Sequence, residues 1–163
     1  MKIFGKSLAE YVKFEKGFLI LVLVVGVARL AASLLGVPNS SVKFLSITVV
    51  LLLGTIYYSV TVYTSGFGSY KQLLPILALP VILGNCIIIS GIILSIVTQK
   101  DNIFSAPEYS PGHMDGKNWG HVGGHVLATI ILPLILWLIG SLIMFITKKI
   151  KGGRGEVAGT AGA

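Results

Sequence analysis

Four long apolar stretches constrain this chain more than any other feature of its sequence. They cover residues 17–36, 44–63, 73–97 and 125–146. Each is long enough to cross the hydrocarbon core of a bilayer as a helix, which takes about 20 apolar residues. A mean hydropathy of +0.88 and a charged fraction of only 12% fit the same class. The sequence therefore predicts an all-α membrane protein with four transmembrane helices in an antiparallel bundle.

Segments of different composition flank these spans. Residues 1–16 mix apolar and charged side chains, which fits either an interfacial amphipathic helix or a plain extension of the first span. Residues 17–151 form the predicted transmembrane domain, with a long loop over 98–124. Residues 152–163 are rich in Gly and Ala and have little to bury, so we expect a flexible cytoplasmic tail.

Basic residues are distributed unevenly around the spans. Most lie before the first span, between the second and third, or after the fourth: Lys2, Lys6, Lys13, Lys16, Lys71, Lys148, Lys149, Lys151 and Arg154. By the positive-inside rule both termini are predicted to be cytoplasmic and the loops 37–43 and 98–124 to lie outside. The net charge of +7 is not a nucleic-acid signal, because the basic residues form no stripe interleaved with aromatic residues.

All three histidines of the chain fall in one segment near its last span, together with two acidic residues. His121 and His125 are four residues apart, so on a helix they share a face and can bind one ion. Imidazole and carboxylate ligands suit Zn or Cu. The candidate metal ligands are His113, His121, His125, Asp115 and Glu108. A haem would need a second chain for its other axial ligand. The competing interpretation is an ordered outer loop whose histidines only form hydrogen bonds.

Two polar residues lie deep in the predicted spans. Arg29 and Asn85 are each about 12 residues from the start of their parallel spans, so they are expected at the same depth, with Thr129 near them. They are the candidate cofactor-binding residues, because a cation inside a membrane marks an anion, lipid or quinone site by default. The alternatives are that Arg29 extends to the headgroups and that stray polar groups satisfy one another.

Several classes of function are disfavoured by what the sequence lacks. A single cysteine, Cys86, cannot carry out disulfide exchange, and the predicted spans contain no Asp or Glu for proton coupling. No catalytic triad or phosphate-binding loop is recognisable. We therefore expect no enzyme but a membrane subunit or self-associating scaffold, with the bilayer and a homo-oligomer or other membrane subunits as partners. The small residues Ala28, Ala32 and Gly36 favour helix contacts. Metal or cofactor binding, and ligand binding near Arg29, are the alternatives.

Overall fold

Four long helices in a computed structural model correspond to the four predicted spans. The structure describes residues 2–109 and 115–160, and of Tyr109 and residues 152–160 the backbone only. The helices are α1 (Leu8–Leu34), the short α2 (Asn39–Val42), α3 (Ile47–Thr64), α4 (Tyr70–Thr98) and α5 (Trp119–Thr160). The four long helices are apolar enough to cross a membrane, which confirms the predicted fold class. The chain is an integral membrane protein whose apolar helix faces contact the bilayer.

Helix α4 is the central element, in contact with α1, α3 and α5. Glycines allow these helices to approach closely, since a β-carbon at Gly26 of α1 would lie 2.8 Å from Ile87 of α4. A β-carbon at Gly140 of α5 would lie 3.2 Å from Leu73 of α4. The contacts of α1 thus run through Gly26, while Gly36 of the predicted small-residue face lies in the turn after α1 with φ +83°.

The antiparallel order gives the bundle two ends. The terminal end carries the start of α1, the α3–α4 connection and the last part of α5. The loop end carries residues 35–46 and 99–118, including a 3₁₀ turn over Pro107–Tyr109. Helix α5 continues to Thr160 and so includes most of the predicted tail, whose flexibility stays a prediction.

A β-hairpin occupies the first part of the segment expected to be an interfacial helix. Strands β1 (Lys2–Ile3) and β2 (Lys6–Ser7) pair antiparallel around Phe4 and Gly5, both with positive φ, as a two-residue hairpin turn requires. The Tyr11 hydroxyl donates to the Ile3 carbonyl (2.9 Å), which ties the hairpin to α1. Ser7 then starts α1 through a capping box with Glu10. The helical part of the segment is Leu8 onward, continuous with the first span.

Candidate functional site

Buried hydrogen bonds fix the loop end of the bundle. Asn102, 1% exposed, donates from its side-chain amide to the Gly91 carbonyl and to the Ser95 hydroxyl, both at 2.7 Å. Its side-chain oxygen accepts from the Phe104 N–H (2.9 Å). Ser105 is also buried, and its hydroxyl lies 2.7 Å from that of Ser95. This network holds the loop 99–109 against α4, and it was not predicted from the sequence.

The candidate site itself is an interhelical pair inside this end. His125 of α5 and Asn85 of α4 form a hydrogen bond between Nδ1 and Oδ1 at 2.9 Å. Because Oδ1 only accepts, the imidazole Nδ1 is the donor and carries the proton. Asn85 is buried and His125 half-buried. The two residues border a small cavity of about 120 Å³ between α3, α4 and α5, with Thr48 at its edge.

His121 lies one helical turn before His125, and their ring centroids are 5.1 Å apart. Its Nδ1 lies 3.0 Å from the Gly116 carbonyl, which makes Nδ1 the donor of that bond too. Asn118 caps α5 by accepting the His121 N–H at 2.8 Å. Both rings therefore leave Nε2 outside these two hydrogen bonds, and their close spacing agrees with the predicted sharing of a helix face.

The two predicted carboxylate ligands have other partners. Glu108 accepts a hydrogen bond from the Asn39 side chain at 3.1 Å. Its own backbone N–H and the Asn39 amide lower the pKa of Glu108. Asp115 accepts from the Lys117 N–H at 2.9 Å, and this bond, with the Lys117 ammonium, lowers the pKa of Asp115. The Lys117 ammonium lies 2.7 Å from Asp101 and 3.3 Å from Asp115, and these contacts raise the pKa of Lys117, Asp101 contributing first.

The predicted metal ligands are therefore only partly together. His121 and His125 are neighbours, while Glu108 and Asp115 are engaged elsewhere, and His113 lies outside the described residues. Within residues 2–109 and 115–160 no group of three His, Cys, Asp or Glu side chains is arranged to hold a metal ion. Binding of Zn or Cu stays a prediction that rests on the two imidazoles.

Arg29 and Asn85 lie at different depths. Gly26 of α1 meets Ile87 of α4, and Leu30 meets Gly91, so Arg29 is roughly five residues, or about 7 Å, nearer the loop end than Asn85. The Arg29 guanidinium lies over the Phe104 ring, 5.5 Å from its centroid. Thr129 donates to the His125 carbonyl of its own helix (2.8 Å). The polar layer at Asn85 thus contains His125, and an anion, lipid or quinone site at Arg29 stays a prediction.

A buried carboxyl group at the terminal end was missed in the sequence. Glu15 lies inside α1, is 1% exposed, and neither of its carboxyl oxygens has a hydrogen-bond partner among the described residues. The backbone leaves helical values at this residue, with φ −111° and ψ 15°. The predicted first span, residues 17–36, contains no Asp or Glu, but α1 starts at Leu8 and so includes Glu15.

Aromatic side chains pack beside this part of α1, on the side that faces α3. Phe14 and Phe18, neighbours of Glu15 on α1, lie against the ring of Tyr58 at centroid distances of 5.9 and 5.4 Å. The Phe14 ring also stacks on Phe67 at 3.9 Å, and the Phe18 ring fills the space over Gly54. The available signal was the spacing of Tyr11, Glu15 and Val22, which is the spacing of one helix face.

Among the described residues, the two ends thus differ: the loop end holds hydrogen-bonded polar groups, and the terminal end holds one buried carboxyl group without a hydrogen-bond partner. No protein-family model, curated protein or solved structure matches this chain, so similarity adds nothing to the geometry.

Proposed function

We propose that this chain is a non-enzymatic membrane subunit that self-associates through an exposed glycine-containing face of α5. One observation carries the proposal. At most helix glycines, such as Gly26, Gly91 and Gly140, an added β-carbon would meet side chains from other elements of the chain. At Gly123 and Gly124 of α5, as at Gly17 of α1, it would have no such atom within 4 Å, and Gly124 also borders an apolar groove.

Where a glycine of this bundle is covered, a side chain from another part of the chain packs closely against it. Gly26 is covered by Ile87, Gly91 by Phe104 and Gly140 by Ser59, each at under 3 Å from a β-carbon position. A glycine in a helix costs about 1 kcal/mol relative to alanine, so the adjacent pair in α5 carries a cost of about 2 kcal/mol. In a membrane, close approach of a second helix is the usual gain that offsets such a cost.

The surface beside Gly124 has the shape that such a helix needs. A shallow apolar groove of about 320 Å³ runs along α5, lined by Gly124, Leu127, Ala128, Ile131, Leu132 and Ile135. Gly120, Gly124 and Ala128 follow at intervals of four, which aligns small side chains on one face. A second copy of α5 fits this groove, because it can present the same small residues in return.

Substitution of Gly124 by leucine tests the proposal. The position is open within one chain, so Gly124→Leu is compatible with the fold but fills the groove. We expect the wild-type protein to form a defined oligomer in mild detergent and the variant to be monomeric, as measured by native mass spectrometry.

Gly17→Leu is the matched control, since Gly17 of α1 is also an open helix glycine but lies far from the groove. It should leave the oligomer unchanged. A monomeric wild-type protein, or a Gly124→Leu variant with the wild-type mass, would contradict self-association through this face.

The proposed orientation has the terminal end in the cytoplasm and the loop end outside. The lysines of the terminal end support it, and at the loop end Lys117 is neutralised by Asp101 and Asp115. Cysteines at Lys71 and Lys100, each in a Cys86→Ser background, provide the test with a membrane-impermeant maleimide. We expect labelling of Lys100→Cys in intact cells and of Lys71→Cys only after permeabilisation; the reverse pattern would invert the topology.

A metal site at the loop end is the second candidate function, favoured by the 5.1 Å separation of the His121 and His125 rings. Two imidazoles on one helix face suit Zn or Cu, with further ligands from His113 or from a second copy. Metal analysis of the purified protein beside a variant with all three histidines changed to alanine decides it. Equal metal content in the two proteins would exclude the site.

A further inference from the structure

The terminal half of the bundle contains a buried carboxyl group that has no hydrogen-bond partner among the described residues. Glu15 is 1% exposed and lies on the face of α1 that carries the buried residues Tyr11, Val22 and Gly26. An unpaired ionised carboxylate in such surroundings is strongly disfavoured by desolvation. The neutral acid is therefore the form that the closed bundle favours.

No cation compensates this group in the part of the chain that the structure describes. The described ion pairs are Lys6 with Glu10, and Lys117 with Asp101 and Asp115. Of the neighbouring lysines, Lys13 and Lys16 are exposed on α1, and Lys148 of α5 lies over the Tyr70 ring at 4.1 Å. The titratable group of α3 that interacts with Glu15 is the phenol of Tyr58, which is neutral over the physiological range.

A metal cation is a poor alternative as the ligand. Such an ion requires several oxygen or nitrogen ligands, and no group of three His, Cys, Asp or Glu side chains comes together among the described residues. A proton needs only one carboxyl group.

Access from water is available one helical turn away. A groove of about 430 Å³ lies at the terminal end, lined by Glu10, Lys13, Phe14 and Phe67. The stacked rings of Phe14 and Phe67 form the wall between this groove and the aromatic cluster around Tyr58. The irregular backbone at Glu15 lies directly beside Phe14.

From this geometry we propose that Glu15 is a proton-binding site of the membrane domain, reached from the groove behind Phe14 and Phe67. The carboxyl group holds its proton while α1 is packed against α3 and α4. It releases the proton when the aromatic wall opens and water reaches it. Protonation and the packing of α1 are therefore coupled.

Infrared spectroscopy of the full-length protein in lipid vesicles tests this site directly. A protonated carboxyl group has a C=O stretching band apart from that of a carboxylate. We expect the wild-type protein to show this band at neutral pH, to lose it at alkaline pH, and to shift it in deuterated water. Glu15→Gln should abolish the band. Glu108→Gln, which removes an exposed carboxylate at the loop end, should leave it unchanged.

Absence of the band from the wild-type spectrum at neutral pH, or its persistence in Glu15→Gln, would overturn the proposal. A measurement on the unmodified chain guards against a variant that fails to fold. A hydrophobic carbodiimide reacts with protonated carboxyl groups in apolar surroundings, so mass spectrometry should locate the adduct on Glu15. An adduct confined to exposed acids would count against the site. Phe67→Ala should speed deuterium exchange of the band, and an unchanged rate would refute the access route.

Discussion

The two ends of the bundle treat their buried polar groups in opposite ways. At the loop end Asn102, Ser95 and Ser105 bond to one another and to the backbone, and Asn85 bonds to His125. At the terminal end the Glu15 carboxyl group is as deeply buried but has no hydrogen-bond partner among the described residues. Satisfied polar groups stabilise a structure, whereas an unsatisfied ionisable group is more often kept for a function. In this comparison the polar groups of the loop end serve stability, and the proposed proton-binding site lies at the terminal end.

The largest effect should come from removing the centre of the loop-end network. Asn102→Ala removes three side-chain hydrogen bonds and leaves buried partners without theirs. At about 1 kcal/mol for each bond, the free energy of unfolding should fall by about 3 kcal/mol, measured in mixed micelles. Asn118→Ala is the control, since it removes an exposed helix cap and an exposed hydrogen bond to the Asp115 carbonyl, and should cost about 1 kcal/mol. Equal losses in the two variants would mean that the network does not hold the loop end.

A change of pH should distinguish the terminal end from the loop end. If the folded bundle holds a proton on Glu15 that the unfolded chain releases, folding takes up one proton and stability falls as pH rises. The slope for one proton is about 1.4 kcal/mol per pH unit. We expect wild type to lose stability between pH 7 and 8 at up to this slope, and Glu15→Gln to lose less. Parallel curves for the two proteins would show that Glu15 is ionised in both states.

A smaller effect is expected at the interhelical pair of Asn85 and His125. Hydrogen bonds between membrane helices average about 0.6 kcal/mol, because the unfolded chain also finds partners. A double-mutant cycle with Asn85→Ala and His125→Ala should give a coupling energy near that value. A coupling energy of zero would mean that the bond contributes no stability, and would leave the imidazole available for other roles such as metal binding.

The membrane fold was predictable because it depends on a local property. A run of about 20 apolar residues specifies a span irrespective of its neighbours. The depth of each residue was less predictable. Apolar runs marked residues 17 and 73 as span starts, but α1 starts at Leu8 and α4 at Tyr70. Because the two helices start earlier by different numbers of residues, Arg29 and Asn85 lie at different depths, and Glu15 lies inside a helix.

The partners within the site depend on contacts that a local pattern does not contain. Asn85 and His125 are separated by 40 residues, and their bond requires the packing of α4 on α5. Near Glu15, Phe18 of α1 fits over Gly54 of α3, a contact between two helices that neither segment shows by itself. The hairpin at Phe4 and Gly5 had a local signal, because Gly5 lies between the short segments Lys2–Ile3 and Lys6–Ser7. The helical pattern of the residues that follow outweighed this signal.

The smallest effect concerns the charged cluster at the surface of the loop end. The Lys117 N–H lowers the pKa of Asp115 below 3.8, so the stability it contributes is present above that value and is lost as pH falls through the lowered pKa. Asp101, and then Asp115, raise the pKa of Lys117 above 10.5, so its contribution is present below that value and is lost as pH rises through the raised pKa.

Hydrogen exchange of the Gly116 amide, which donates to the Ser105 carbonyl at 3.1 Å, reports on this cluster. After correction for intrinsic exchange, protection should be constant between these limits and fall outside them. Asp115→Asn should flatten the acid side and Lys117→Met the alkaline side. Acid profiles that coincide for wild type and Asp115→Asn would show that this pairing, unlike the buried network beneath it, leaves the loop end unaffected.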